Sequence, residues 1–115
     1  PSNDIIDESV LNELKTLLGE DFVLLIDAFY EDADSITNSF DEIINHEGEV
    51  DYESIARLAH SLKSVSQNVG AMTMSSMAAQ LEQEGRQGNV PELEAKLREI
   101  LVMYQSVKGK LQGML

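Results

Sequence analysis

Cysteine is absent from the 115-residue chain. Disulfides, thiolate catalysis and cysteine-based zinc sites are therefore excluded, and a reducing compartment, by default the cytoplasm, is the expected location. Proline occurs only at Pro1 and Pro91, and strictly alternating β-branched runs are missing, so nothing speaks for strands. Basic residues are scarce: eight Lys and Arg stand against twenty-one Asp and Glu, a formal charge of −13. Nucleic-acid phosphates and anionic membranes would be repelled by such a surface, whereas basic protein surfaces would be attracted. No apolar run approaches the roughly 18 residues of a membrane span, and no basic, apolar leader opens the sequence. Neither G-x-x-x-x-G-K-[ST] nor G-x-G-x-x-G is present to cradle nucleotide phosphates. There is no internal repeat or linker, and residues 1–115 are read as one domain with one core.

Apolar residues recur at spacings of three and four, the period of an amphipathic helix. A short first helix is expected over Asp7 to Leu18, with Val10, Leu11, Leu14, Leu17 and Leu18 inward and Gly19 as its stop. A second spans Asp21 to Asn45 with Phe22, Leu25, Phe29, Ile36, Phe40 and Ile43 on one stripe. After the "NHEGEVD" turn, Asp51 is the N-cap of a third helix that runs to Val69 and stops at Gly70. The fourth covers Ala71 to Gln87, burying Met74, Met77, Ala78 and Leu81, and Gly88 with Asn89 breaks it. Asn89 is expected to cap the last helix, with Pro91 in its first turn and Leu93, Leu97, Ile100, Tyr104, Val107 and Leu111 buried. The predicted fold is all-α: an antiparallel four-helix bundle with a short additional N-terminal cap helix.

The third helix carries the chemistry. Its apolar stripe is Ile55, Leu58, Leu62, Val65 and Val69, and at about 100° per residue His60 lies about 200° from Leu58, aimed at solvent. Its neighbours on that face are small or neutral: Ala56 one turn before, Ser64 one turn after, Gln67 two turns after. Lys63 at i+3 is the cation of this face. An imidazole beside an ammonium is a poor cation site but a suitable place for an anion attached to the ring, such as a phosphoryl group. Nucleophilic attack by Nε2 needs the proton held on Nδ1 by an acceptor from a neighbouring helix, and Glu82 or Glu84 is within reach.

Other constellations read as structural. His46 has only Glu42 at i−4 and is a surface residue; neither histidine has the Glu at i−3 that a di-iron bundle requires. "DAFYEDADS" lacks the spacing of a calcium loop and is a solvated helix face. Met72, Met74 and Met77 are core or its rim, with an adaptable docking surface as the alternative. No Ser-His-Asp or paired-carboxylate arrangement suggests an enzyme with its own substrate pocket.

Residues 60–71 resemble the pattern H-x-L-K-G-x-S-x-x-x-G-A of the histidine-containing phosphotransfer (HPt) domain family. His60, Leu62, Lys63, Ser66, Gly70 and Ala71 match, and Ser64 replaces the first glycine with another small residue. Leu81, Glu82, Arg86 and Gly88 stand where the family commonly shows leucine, glutamate, arginine and a glycine-containing turn. The resemblance implies a phosphorelay intermediate, a phosphoryl carrier without an ATP site of its own. His60 would take a phosphoryl group from the aspartate of one receiver domain and pass it to another, in response regulators and in a hybrid sensor histidine kinase. It further implies that Glu82 orients the imidazole and that Lys63 contacts the phosphoryl oxygens. Magnesium would be supplied by the partner receiver, with no cofactor or metal of the chain's own. Ala56, Arg57, Ser64, Gln67, Asn68 and Arg86 would form the docking surface around His60. A monomer is expected, either free-standing or as a domain of a hybrid kinase. The alternative reading is a helical adaptor that docks receivers or other signalling partners without transfer.

Overall fold

A computed structural model describes residues 5–115; Pro1 and the rest of the 1–4 segment lie outside the described residues. Five α-helices follow one another: α1 (Glu8–Leu18), α2 (Phe22–Ile44), α3 (Tyr52–Asn68), α4 (Met72–Arg86) and α5 (Leu93–Met114), with a 3₁₀ turn at Gly19–Asp21 between α1 and α2. Helices α2 to α5 run antiparallel in sequence order. α3 packs most closely on α4, while α2 contacts α3 and α5, and α5 closes the ring against α4.

The helix starts follow local chemistry. Asp7 caps α1 by accepting from the Ser9 and Val10 N–H groups, and Asp51 caps α3 by accepting from Ser54 N at 3.1 Å. The start of α5 departs from expectation. Asn89 does not cap it, and Pro91 lies in the turn before it rather than in its first turn; the residue preceding the helix is Glu92, at φ 52°, with no side-chain cap. Val90 is buried at 4% exposure, which pins the chain to the core just after the Gly88 turn and delays the helix until it has turned back.

The core is one continuous cluster reaching from Ile6 and Leu11 through Phe22, Phe29, Phe40, Ile55, Leu62, Met74 and Leu81 to Leu97, Ile100, Tyr104 and Leu111. Each fully buried side chain of this size contributes about 1.5–3 kcal/mol. The buried stripes are rotated slightly from the expected ones. In α2, Leu25 and Ile43 are half-buried while Ile26 and Ala33 take the centre; in α3, Leu58 and Val65 are half-buried while Ala59 and Ser66 are buried. Three of these central residues, Ala33, Ala59 and Ser66, are small, which lets neighbouring helices approach closely there. Met74 is core, Met77 half-buried and Met72 exposed. Tyr104 donates to Asp34 Oδ1 at 2.6 Å and packs edge-on against Phe29 with ring centroids 6.0 Å apart. Burial and the facing Asp34 carboxylate push the Tyr104 hydroxyl well above the usual phenol range.

Helix α1 lies across the end of the bundle where α3 turns into α4. The Asp7 N–H donates to Gly70 O at 2.7 Å, and Lys15 Nζ donates to Met114 O at 3.1 Å at the end of α5. Only Leu11 is fully buried from this helix. Leu17, expected inward, is 79% exposed, and Leu18 is also exposed, because a short cap touches the bundle along one narrow line and its last turn overhangs.

Two glycines with left-handed backbone separate strain from packing. Gly88 has φ 75° with open space where a Cβ would stand; Gly70 has the same φ, but a Cβ there would lie 3.0 Å from Asp7 O and 3.3 Å from Val10 Cβ. Gly88→Ala is expected to cost about 1–2 kcal/mol. Gly70→Ala should cost about 1–3 kcal/mol more by crowding the cap. Urea denaturation checks both, and equal losses would mean that the α1 contact places no demand on residue 70.

Candidate functional site

Where α4 passes α3, the contact is made by small residues. Gly85 sits against Ala56: a Cβ on Gly85 would meet Ala56 Cβ, Ala56 N and Tyr52 O, each at 3.2 Å. One turn on along α3 and one turn back along α4, this close approach brings His60 beside Glu82. The His60 side chain is 55% exposed and Glu82 only 10%.

Glu82 is the centre of the cluster. His60 Nδ1 lies 3.0 Å from its Oε2, Lys63 Nζ lies 3.0 Å from its Oε1, and Arg86 donates to Oε2 through Nε at 3.1 Å and Nη2 at 2.6 Å. The Arg86 bonds first, then the Lys63 bond, and less strongly that of His60 hold the carboxyl at about 2 against the opposing effect of its burial. An ionised carboxylate can only accept, so Nδ1 carries the imidazole proton in the neutral ring and Nε2 is left with its lone pair on the exposed side. The arrangement presents a nucleophilic nitrogen to solvent with its tautomer fixed from behind. Two cations against one carboxylate also leave one positive charge in excess beside the ring, in a chain of net charge −13.

The structure thus brings together His60, Lys63, Glu82 and Arg86. Glu84, the other candidate holder of the imidazole, points away and accepts from Lys96 Nζ of α5 at 2.8 Å. Lys63 faces Glu82 rather than open solvent, and Arg86 grips Glu82 rather than standing free for a partner. Arg57, Ser64, Gln67 and Asn68 are exposed along α3, with Arg57 bonded to Glu53 Oε1 at 2.9 Å. Ala56 needs correction as a docking residue: it is only 3% exposed, covered by α4 at Gly85, and contributes no more than the floor of a groove also lined by Tyr52, Arg57, Arg86 and Gly88. Gly85 was not singled out from the sequence; a glycine inside a helical run is the signal that a neighbouring backbone comes close. His46 is exposed in the α2–α3 turn, and the described residues contain no group of three or more metal-ligating side chains. Nor is any described helix long and apolar enough to cross a membrane.

Residues 24–110 match the family model described as Hpt domain. Among solved structures, the chain is similar to histidine-containing phosphotransfer protein B (HptB) from Pseudomonas aeruginosa PAO1, with a TM-score of 0.85 and 22% identity over 96% of this chain and 93% of that one. That likeness bears on the fold, which is the all-helical bundle with its N-terminal cap helix. No curated protein matches the sequence.

The depressed Glu82 carboxyl gives a pH signature. A group held below its unfolded value of 4.5 contributes stability that is fully present above pH 4.5 and is lost as pH falls through about 2. Wild type is therefore expected to exceed Glu82→Gln in stability above pH 5, with the gap closing toward pH 2. Thermal melts across that range check the sign; a gap that is constant with pH would contradict the charge-assisted cluster.

Proposed function

The chain belongs to the Hpt domain family, whose role is histidine phosphotransfer in phosphorelays, and on that premise we propose that His60 is the residue that carries the phosphoryl group. The observation that carries this reading is the bond between Nδ1 of an exposed imidazole and a nearly buried carboxylate. His60 Nε2 attacks the phosphorus of an aspartyl phosphate on a receiver domain. The Nε2–P bond forms as the acyl P–O bond breaks, and the receiver aspartate leaves as a carboxylate. The ring becomes positively charged while Nδ1–H stays on Glu82, whose negative charge faces it. The return step, to the aspartate of a second receiver, runs the same bonds in reverse.

In this reading the chain is a phosphoryl carrier and not a kinase. In the same reading, magnesium is supplied by the acidic pocket of each receiver. Donor and acceptor are the receiver of a hybrid sensor histidine kinase and that of a response regulator, docking on the exposed α3 residues Arg57, Ser64, Gln67 and Asn68. The protein acts as a monomer in the cytoplasm.

The test is transfer from a radiolabelled, phosphorylated receiver to wild type and to His60→Gln. Label on wild type alone, lost in acid and stable in base, is the expected result. Because the ring is mostly outside the core and makes one hydrogen bond, to Glu82, His60→Gln should change folding stability by no more than about 1.5 kcal/mol. Label retained in the variant would assign the acceptor to another side chain, and a folded wild type that no receiver labels would favour a docking module without transfer.

A further inference from the structure

Glu82 is held by more positive charge than it needs. One cation compensates a carboxylate, yet both Lys63 and Arg86 lie on it, and they hold it differently. Arg86 stands four residues along the same helix and places two donors on Oε2, the oxygen that also receives His60 Nδ1. A planar guanidinium with two bonds to one oxygen fixes that oxygen in space. Lys63 stands on the helix of His60 and approaches Oε1 with a single ammonium on a flexible stem. When a phosphoryl group with two negative charges joins Nε2, the ammonium is the cation that can follow it, provided that Glu82 does not lose its compensation as a result.

We propose that Arg86 is a positioning residue for phosphotransfer: through Oε2 it keeps the Glu82 carboxylate compensated and fixed on Nδ1 of His60, which frees Lys63 to leave Oε1 for the phosphoryl oxygens. The role deepens the reading of His60 as the phosphoryl acceptor and rests on it, except for its effect on the imidazole, which exists without any transfer. Arg86 acts on the ring through the Glu82 oxygen that both of them bond. Its side chain is 61% exposed, so its contribution to the folded state is that of a surface group, separable from its effect on the ring.

The experiment has a spectroscopic and a kinetic arm, on wild type, Arg86→Ala, Arg86→Lys, Lys63→Ala and the double Ala variant. Ring-nitrogen NMR shifts of His60 report which nitrogen is protonated in the neutral form. Wild type should show the Nδ1–H form, Arg86→Ala a mixture of both forms, and Arg86→Lys a return toward wild type. In the second arm, phosphoramidate serves as a small phosphoryl donor that needs no receiver, and circular dichroism confirms folding. Arg86→Ala should accept phosphate about tenfold more slowly, the lower end of the loss seen when the carboxylate partner of a metal-bound histidine is removed. Lys63→Ala should shorten the phosphohistidine lifetime in the wild-type background but have little further effect once Arg86 is gone, because Lys63 is then retained by Glu82. Unchanged nitrogen shifts in Arg86→Ala would overturn the proposal whatever the kinetics, and so would fully additive Lys63 and Arg86 effects. A wild type that shows the Nδ1–H form but accepts no phosphate would refute the acceptor reading of His60, and with it the release of Lys63, while leaving the hold of Arg86 on the ring established.

Discussion

The carboxylate of Glu82 stands where two helices come closest, and much of their composition follows from the need to bring it within a hydrogen bond of an exposed ring. A glutamate side chain spans only a short gap, so the α3 and α4 backbones have to be near one another. Ala56 and Ala59 on α3, with Ser75, Ala78 and Gly85 on α4, supply that nearness, all of them buried. At the turn end of the pair, Ser75 Oγ donates to Lys63 O at 3.3 Å, which ties the backbone of the lysine to the opposite helix. A carboxylate at this depth is costly unless its charge is met. Lys63 and Arg86 meet it. Small residues, the nearly buried acid and the two bases are therefore parts of one solution to one requirement.

That solution also explains how an exposed ring can be held in one tautomer and one orientation. An imidazole free in solvent exchanges its proton between two nitrogens and turns about its side-chain bonds. Glu82 fixes both from the protected side, through Oε2 alone, so the solvent side remains open. The rest of the bundle keeps this geometry rigid without taking part in it. α1 locks the α3–α4 turn through the Asp7–Gly70 bond, and on the far side Tyr104 of α5 is tied to Asp34 of α2.

The helices and the outward face of His60 were legible in the sequence because both depend only on spacing along one helix. Asp51 and Gly70 marked the boundaries of α3 for the same local reason. The misses share a different cause. Leu17 and Leu18 have the right spacing to be buried, but whether a cap helix finds a partner along its whole length is decided by the bundle it sits on. The start of α5 was displaced from Asn89 by the burial of Val90, a contact with distant residues. Ala56 looked like an open neighbour of His60 on a helical wheel, yet α4 covers it, since a wheel drawn for one helix does not show where the next one crosses. The choice between Glu82 and Glu84 was open for the same reason. Two residues turn a helix by about 200°, so only one of the pair can face α3, and the register across the Gly70 turn selects Glu82 while Glu84 meets Lys96.

Charge placement adds a constraint that composition alone hides. A chain of net charge −13 would be a poor host for a doubly negative group if its acids were spread evenly. They are not. Three of its eight basic residues, Arg57, Lys63 and Arg86, lie around His60, and with Glu53 and Glu82 paired to them the patch retains one positive charge. At physiological ionic strength exposed charges are screened beyond about 8 Å, so acids further away than that weigh little at Nε2, and the local excess decides. One arrangement of few bases thus gives the His60 face a local charge opposite in sign to that of the chain as a whole.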